Sequence, residues 1–266
     1  MLIGKSGEAK TAIAAAAADR VLVRGRDLAK DLIGSVSFAE FYFLLATGRD
    51  PTPDQRFFLD ACLVALAEHG LTPSVQAARM TLAADPAALQ GAVAAGILGC
   101  GSVILGTADL CARALDDIFR RVEAGVSLDA AATGWARERR AAGAPAPGYG
   151  HPLHKPLDPR AERLIALAQA RGVAGRAVDC ATRLTGIVAD IWGKKLPMNV
   201  SMAIAAVLKD VDVPEALIRG LPILARTAGL IAHLAEEART PIGFFMASRA
   251  EAAIDHSEAA RGGAER

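Results

Sequence analysis

The stretch Gly148-Tyr149-Gly150-His151-Pro152-Leu153-His154-Lys155-Pro156-Leu157-Asp158-Pro159-Arg160-Ala161 decides the reading of this chain. Pro and Gly crowd positions 143–159, so the segment is a loop. A long ordered loop inside a helical sequence is usually functional. Its residue types suit an anionic substrate undergoing proton transfer. His151 exchanges a proton near neutral pH. Arg160 offers a planar fork for a carboxylate, and Lys155 can meet a phosphate or another acid. Gly148 and Gly150 let backbone approach a ligand closely on either side of Tyr149. The same residues also allow a plainer account, in which an Asp158–Arg160 interaction holds the loop and the histidines are surface groups.

Outward from the loop, helical periodicity dominates. Toward the N-terminus, Leu128 to Ala141 and Leu110 to Ala124 read as amphipathic helices, and residues 86–98 as an apolar one ended by Gly99 and Gly101. Thr72-Pro73-Ser74 starts another helix. The helix that begins after Pro51 to Pro53 runs to Gly70, just past His69. Ser37-Phe38-Ala39-Glu40 has the form of a capping box, and Gly48 stops the run that follows. Val21 to Gly25 reads as a strand or as a turn before a helix. Toward the C-terminus, helices are predicted over 161–169, 178–192, 199–208, 214–228 and 230–238, with a frayed tail from Gly262. Convincing alternating strands are scarce, so the predicted class is all-α.

Composition agrees and narrows the function. Of 266 residues, 52% are hydrophobic and only 5% aromatic, so the core is built mainly from Ala, Leu, Val and Ile. The net charge of +1, with no long basic run, argues against nucleic-acid binding by bulk charge. No apolar stretch reaches membrane-spanning length without a charge or Pro, so no membrane partner is expected. Cys62, Cys100, Cys111 and Cys180 form no Cys-x-x-Cys pair, which predicts buried free thiols in a reduced cytoplasm and no metal site. No signal peptide is evident.

Gly-Tyr-Gly-His-x-x-x-Lys-x-x-Asp-Pro-Arg-Ala resembles the signature loop of the citrate synthase superfamily, citrate synthases and citryl-CoA lyases alike. Other segments resemble the family in the same order. They are Leu22 to Leu28, Phe38 to Pro51, Leu196-Pro197-Met198-Asn199-Val200, and Ala225 to His233 with its Arg-x-x-Gly-x-x-x-His pattern. In length the chain resembles free-standing citryl-CoA lyases more than full synthases. The resemblance implies an all-helical homodimer in which residues 1–105 and 211–266 form a large domain and 106–210 a small one. It implies no permanently bound cofactor and a coenzyme A thioester as substrate. His151 would be catalytic, contacting the oxygen that alternates between ketone and alcohol and taking the hydroxyl proton in cleavage. His69, Arg160 and Arg226 would hold substrate carboxylates, with Arg239 lent across the dimer interface. Gly148, Tyr149, Gly150, Lys155, Lys194 and Lys195 would lie along coenzyme A. His233 and His154 carry no expected catalytic role, and His233 is expected in the core.

Two positions depart from the family pattern. Ile104 stands where synthases have the histidine that stabilises the enolised thioester. Ser201 stands where the family has the aspartate that moves a proton at the acetyl methyl carbon. Loss of a positioned acid/base group typically costs ~10²–10⁴-fold in rate. Asp109 is a candidate substitute carboxylate. These features point to a lyase cleaving citryl-CoA or a similar 3-hydroxyacyl-CoA to acetyl-CoA (or acyl-CoA) and oxaloacetate (or another 2-oxo acid). The rivals are a synthase-type acyltransferase and a non-catalytic homologue that binds CoA and dicarboxylates.

Overall fold

The computed structural model describes residues 9–101 and 105–255. Ile104, His256 and the tail from Gly262 lie outside the described residues. Near the N-terminus, β1 (Ala14–Ala16), β2 (Val21–Val23) and β3 (Arg26–Asp27) form an antiparallel sheet in sequence order. Val23 faces Arg26, which leaves Arg24-Gly25 as a two-residue turn with φ of 50° and 81°. Positive φ at both turn residues matches the twist of the flanking strands. Val21 to Gly25 is therefore a strand and then a turn. Val23 packs with Leu32 and Leu44 in a small apolar cluster.

The remaining described elements are helical: a short π-helix (Leu28–Leu32), then α1 (Phe38–Thr47), α2 (Pro53–Ala67), α3 (Pro73–Ala84), α4 (Leu89–Leu98), α5 (Thr107–Glu123), α6 (Leu128–Ala141), α7 (Pro159–Ala170), α8 (Arg176–Trp192), α9 (Val200–Asp210), α10 (Glu215–Glu237) and α11 (Gly243–Ala253). The class is all-α, as predicted. The capping box at Ser37 forms, with Ser37 Oγ accepting from Glu40 N and Glu40 accepting from Ser37 N. Gly48 ends α1 in the left-handed conformation.

The chain divides into two compact units. One holds the described residues up to Ala65 together with Gly106–Leu221, and the other holds residues 66–105 and those from Pro222 onward. The division into 1–105, 106–210 and 211–266 shares the break after residue 105, but here the chain up to Ala65 groups with the middle segment. In the first unit α9 is central. Every residue from Met202 to Leu208 is fully buried, with α5, α7 and α8 packed around it. That is why the segment is apolar on all sides rather than along one stripe. In the second unit Val75, Ala78, Leu82, Ala92, Leu230 and Leu234 form the core of α3, α4 and part of α10.

The structure corrects several helix limits. The segments 214–228 and 230–238 are one helix, α10, with Pro222 inside it. Pro removes a hydrogen bond and costs ~3 kcal/mol in a helix interior. Ile218 and Leu221 before it, and Leu230 and Leu234 after it, are buried and hold both halves in place. Gly229 does not break the helix. A Cβ there would stand 2.0 Å from Ala67 O, so the glycine admits the end of α2 against α10. The helix α2 stops at Ala67 rather than Gly70, and α4 starts at Leu89 rather than 86. The sequence reading missed α11, whose start has no side-chain cap of its own. Its first backbone N–H groups, of Ile242 and Gly243, are taken by Glu237 Oε1 at 2.9 and 2.7 Å.

Candidate active site

In the first unit, the central loop is fastened to the start of α9. Asn199 N donates to Gly148 O at 2.9 Å and Gly150 N to Pro197 O at 2.7 Å, a short antiparallel bridge centred on Tyr149 and Met198. Asn199 Nδ2 adds a bond to Gly150 O at 3.0 Å, while its Oδ1 caps α9 by accepting from Ser201 N. Gly148 has φ +83°, and a Cβ on it would lie 2.6 Å from Met202 Cβ and 2.7 Å from Cys111 Sγ. A side chain at this position would collide with α5 and α9. Tyr149 is buried, and its hydroxyl donates to Ala181 O at 2.7 Å. Burial holds that phenol well above its ordinary pKa. The ring anchors the loop from inside, a different task from the coenzyme A contact expected of it. Gly150 remains at the surface of this anchor.

Beyond the anchor the loop turns through His151, which is half-buried. Leu153 N and His154 N both donate to its Nδ1, at 3.1 and 2.9 Å, and the His154 ring stacks on it with centroids 4.4 Å apart. An Nδ1 that accepts two backbone N–H groups puts the proton of the neutral ring on Nε2. The neutral ring therefore donates from Nε2. The proton-accepting role expected of it in cleavage would require giving up both backbone bonds. His154, given no expected role, stiffens His151.

The plainer account of Asp158 and Arg160 also holds, and it has consequences for the site. Asp158 is fully buried and caps α7. Its Oδ1 accepts from Arg160 N and Nε, and its Oδ2 from Arg160 Nη2 at 2.9 Å and from Val200 N at 3.0 Å. Burial alone would raise this carboxyl's pKa. The Arg160 charge and hydrogen bonds from Arg160 and Val200 outweigh it, and the pKa is lowered. One carboxylate thus ties the start of α7 to the start of α9 and orients Arg160, so that a ligand carboxylate would meet the guanidinium's Nη1 side. The Asp-Pro pair at the mouth of a helix was the available sequence signal for this cap.

Ser201 is the second residue of α9 and half-buried. Asp109 lies in the first turn of α5, paired with Arg113 Nη2 at 2.9 Å. Lys155, Lys194 and Lys195 are exposed, the last two directly after the left-handed Gly193 that ends α8. Burial raises the pKa of the Cys62, Cys111 and Cys180 thiols, Cys180 to about 12, so they are packing groups rather than nucleophiles.

In the second unit, Arg226 on α10 is 6% exposed, and among the described residues its Nε and Nη1 have no hydrogen-bond partner. A buried guanidinium without a counter-charge is costly and is a natural seat for an anion. His69 lies in the turn after α2, and its N–H donates to Glu68 Oε1 at 2.9 Å. Arg239 is exposed, just past α10. His233 is not a core group. Its Nε2 meets Glu68 Oε2 at 2.9 Å, and its Nδ1 lies 3.4 Å from Arg79 Nη1.

Comparisons with known proteins identify the family and the fold. The family model described as citrate synthase, C-terminal domain, matches residues 6–243. The structure of citryl-CoA lyase from Hydrogenobacter thermophilus superposes with a TM-score of 0.80 and 31% identity, over 93% of this chain and 94% of that one. ATP citrate lyase from Methanothrix soehngenii, solved with citrate and coenzyme A, gives a TM-score of 0.73 at 22% identity, over 90% of this chain and 40% of that one. The citrate synthase of Synechocystis sp. is 26% identical over 76% of this chain and 50% of its own length. The chain spans about half the length of the curated synthases it matches. This chain belongs to the citrate synthase family, with a citryl-CoA lyase-like fold.

Proposed function

We propose that the chain is a carbon–carbon lyase that cleaves citryl-CoA, or a similar 3-hydroxyacyl-CoA, to acetyl-CoA (or acyl-CoA) and oxaloacetate (or another 2-oxo acid). The observation that supports this reading is the likeness to a citryl-CoA lyase, at a TM-score of 0.80 and 31% identity over 93% of this chain. In this reading Arg226, whose Nε and Nη1 have no partner among the described residues, Arg160, oriented by Asp158, and His69, in the turn that follows α2, bind substrate carboxylates. Arg239 serves a partner copy in a homodimer. Gly150, Lys155, Lys194 and Lys195 lie along the coenzyme A moiety.

The chemistry is a retro-Claisen cleavage. The hydroxyl proton passes to water, the alkoxide collapses to a ketone, and the bond to the thioester methylene breaks, its electron pair passing into a thioester enolate that takes a proton at carbon from water. His151 Nε2–H donates to the oxygen throughout and stabilises the charge it gains. Ser201 is too weak an acid or base to replace a carboxylate. It can only bond the departing enolate or a water that protonates it. Buried free thiols suit a reducing cytoplasm.

Ser201 also favours a second reading, a homologue that binds CoA and dicarboxylates without turnover. Purified protein supplied with citryl-CoA is expected to release oxaloacetate, and His151→Ala to lower that rate by ~10²–10³-fold. Condensation of acetyl-CoA with oxaloacetate, without cleavage, would make it a synthase-type acyltransferase. Calorimetric binding of both ligands with neither reaction would select the second reading.

A further inference from the structure

A chain of hydrogen bonds in the second unit runs from a buried ion pair to the backbone of His69. At one end, Arg79 on α3 is buried and donates from Nε to Glu237 Oε2 at 2.8 Å and from Nη2 to Glu236 Oε2 at 2.7 Å. Its Nη1 faces His233 Nδ1 at 3.4 Å, and His233 Nε2 meets Glu68 Oε2 at 2.9 Å. Glu68 Oε1 then accepts from the N–H groups of both His69 and Gly70. The directions of these bonds follow from the groups. A guanidinium has no acceptor, so Nδ1 must accept from Arg79, and Nε2 must carry the proton given to Glu68. His233 thus stands between the Arg79 guanidinium and the Glu68 carboxylate and bonds to both.

The placement on α10 gives this chain a consequence. Arg226, Gly229 and His233 sit at i, i+3 and i+7, on one face of the helix. Gly229 lets that face touch Ala67, and His233 holds Glu68 one turn further on. Arg226 and the His69 turn are thereby referred to the same helix face. Burial raises the Glu68 pKa, but hydrogen bonds from His233, Gly70 and His69 outweigh it, and the pKa is lowered.

We propose that His233 is a positioning residue: by holding Glu68 it fixes the turn at 67–70 and sets His69 in register with Arg226 for a substrate dicarboxylate. The register part of this inference rests on the proposed carboxylate-binding roles of His69 and Arg226.

The test compares His233→Gln with His233→Asn. Gln places an amide nitrogen near the position of Nε2 and can still donate to Glu68. Asn reaches only as far as Nδ1 and cannot. In the intact chain, hydrogen exchange at the His69 and Gly70 amides is expected to rise at least about tenfold in the Asn variant, the worth of one hydrogen bond to a charged group. Oxaloacetate affinity by calorimetry is expected to fall by about the same factor. The Gln variant is expected to restore both, with coenzyme A affinity unchanged in either. Unchanged exchange in the Asn variant, equal losses in both variants, or faster exchange with unchanged oxaloacetate affinity would each overturn the proposal. Failure of the wild type to bind oxaloacetate would instead remove the functional reading and the register with it, and exchange alone would decide whether His233 holds the turn.

Discussion

Asp158 accepts four hydrogen bonds with two oxygens, and three of them come from Arg160. Replacing it by Asn leaves Arg160 without its counter-charge and α9 without its first contact to α7. We expect Asp158→Asn to destabilise the chain by ~3 kcal/mol at pH 7, the low end for breaking a buried pair because Arg160 is partly exposed. The pH dependence follows from the lowered carboxyl pKa. A group whose pKa falls on folding adds stability that is complete above the ordinary carboxylate range, ~4, and is lost as pH drops through the lower folded value. Urea unfolding from pH 7 down to pH 3 should therefore show the wild-type and Asn curves converging at the acid end. A gap that stays constant to pH 3 would mean that the Asp158 charge contributes nothing.

At the scale of elements, glycine shows how packing overrides propensity. Gly229 in α10 would place a Cβ 2.0 Å from the Ala67 carbonyl oxygen, whereas Gly186 in α8 would place one in open space. Gly186→Ala is expected to stabilise by ~0.5–1 kcal/mol, the ordinary helix gain. Gly229→Ala is expected to destabilise by ~1–3 kcal/mol, because backbone must move to relieve the contact. Thermal unfolding of the two variants should shift in opposite directions, and a shared sign would contradict this account. The same pair shows what the sequence can and cannot tell. Gly48 announced a helix end correctly, because it follows an apolar run and takes the left-handed conformation. Gly229 looked the same, but its neighbour across space is Ala67, which no local pattern records. The central loop was legible as a site because His, Lys, Asp and Arg fall within ten residues of one another. The Tyr149 orientation, the His151 tautomer and the Glu68–His233 contact were not, since each depends on partners distant in the chain or on backbone direction.

For the whole molecule, Arg226 separates stability from function. A buried guanidinium whose Nε and Nη1 have no partner among the described residues lowers the stability of the unliganded chain, and under the proposed function a bound carboxylate would recover that loss. An apolar side chain of similar length should reverse the balance. We expect Arg226→Met to leave the melting temperature of the unliganded chain equal or higher. Oxaloacetate at ~100 times its Kd should stabilise the wild type by ~2.7 kcal/mol. For a chain of this size that is a rise of ~5–10 °C. The Met variant should show no such rise. Differential scanning calorimetry with and without oxaloacetate checks both halves. A Met variant that melts lower and still responds to oxaloacetate would show Arg226 to be a structural cation and would place the carboxylate elsewhere. The opposite result would make the unpaired charge the mark of a site kept open at the expense of the fold, the pattern expected of a catalytic chain rather than of a scaffold that has lost its ligand.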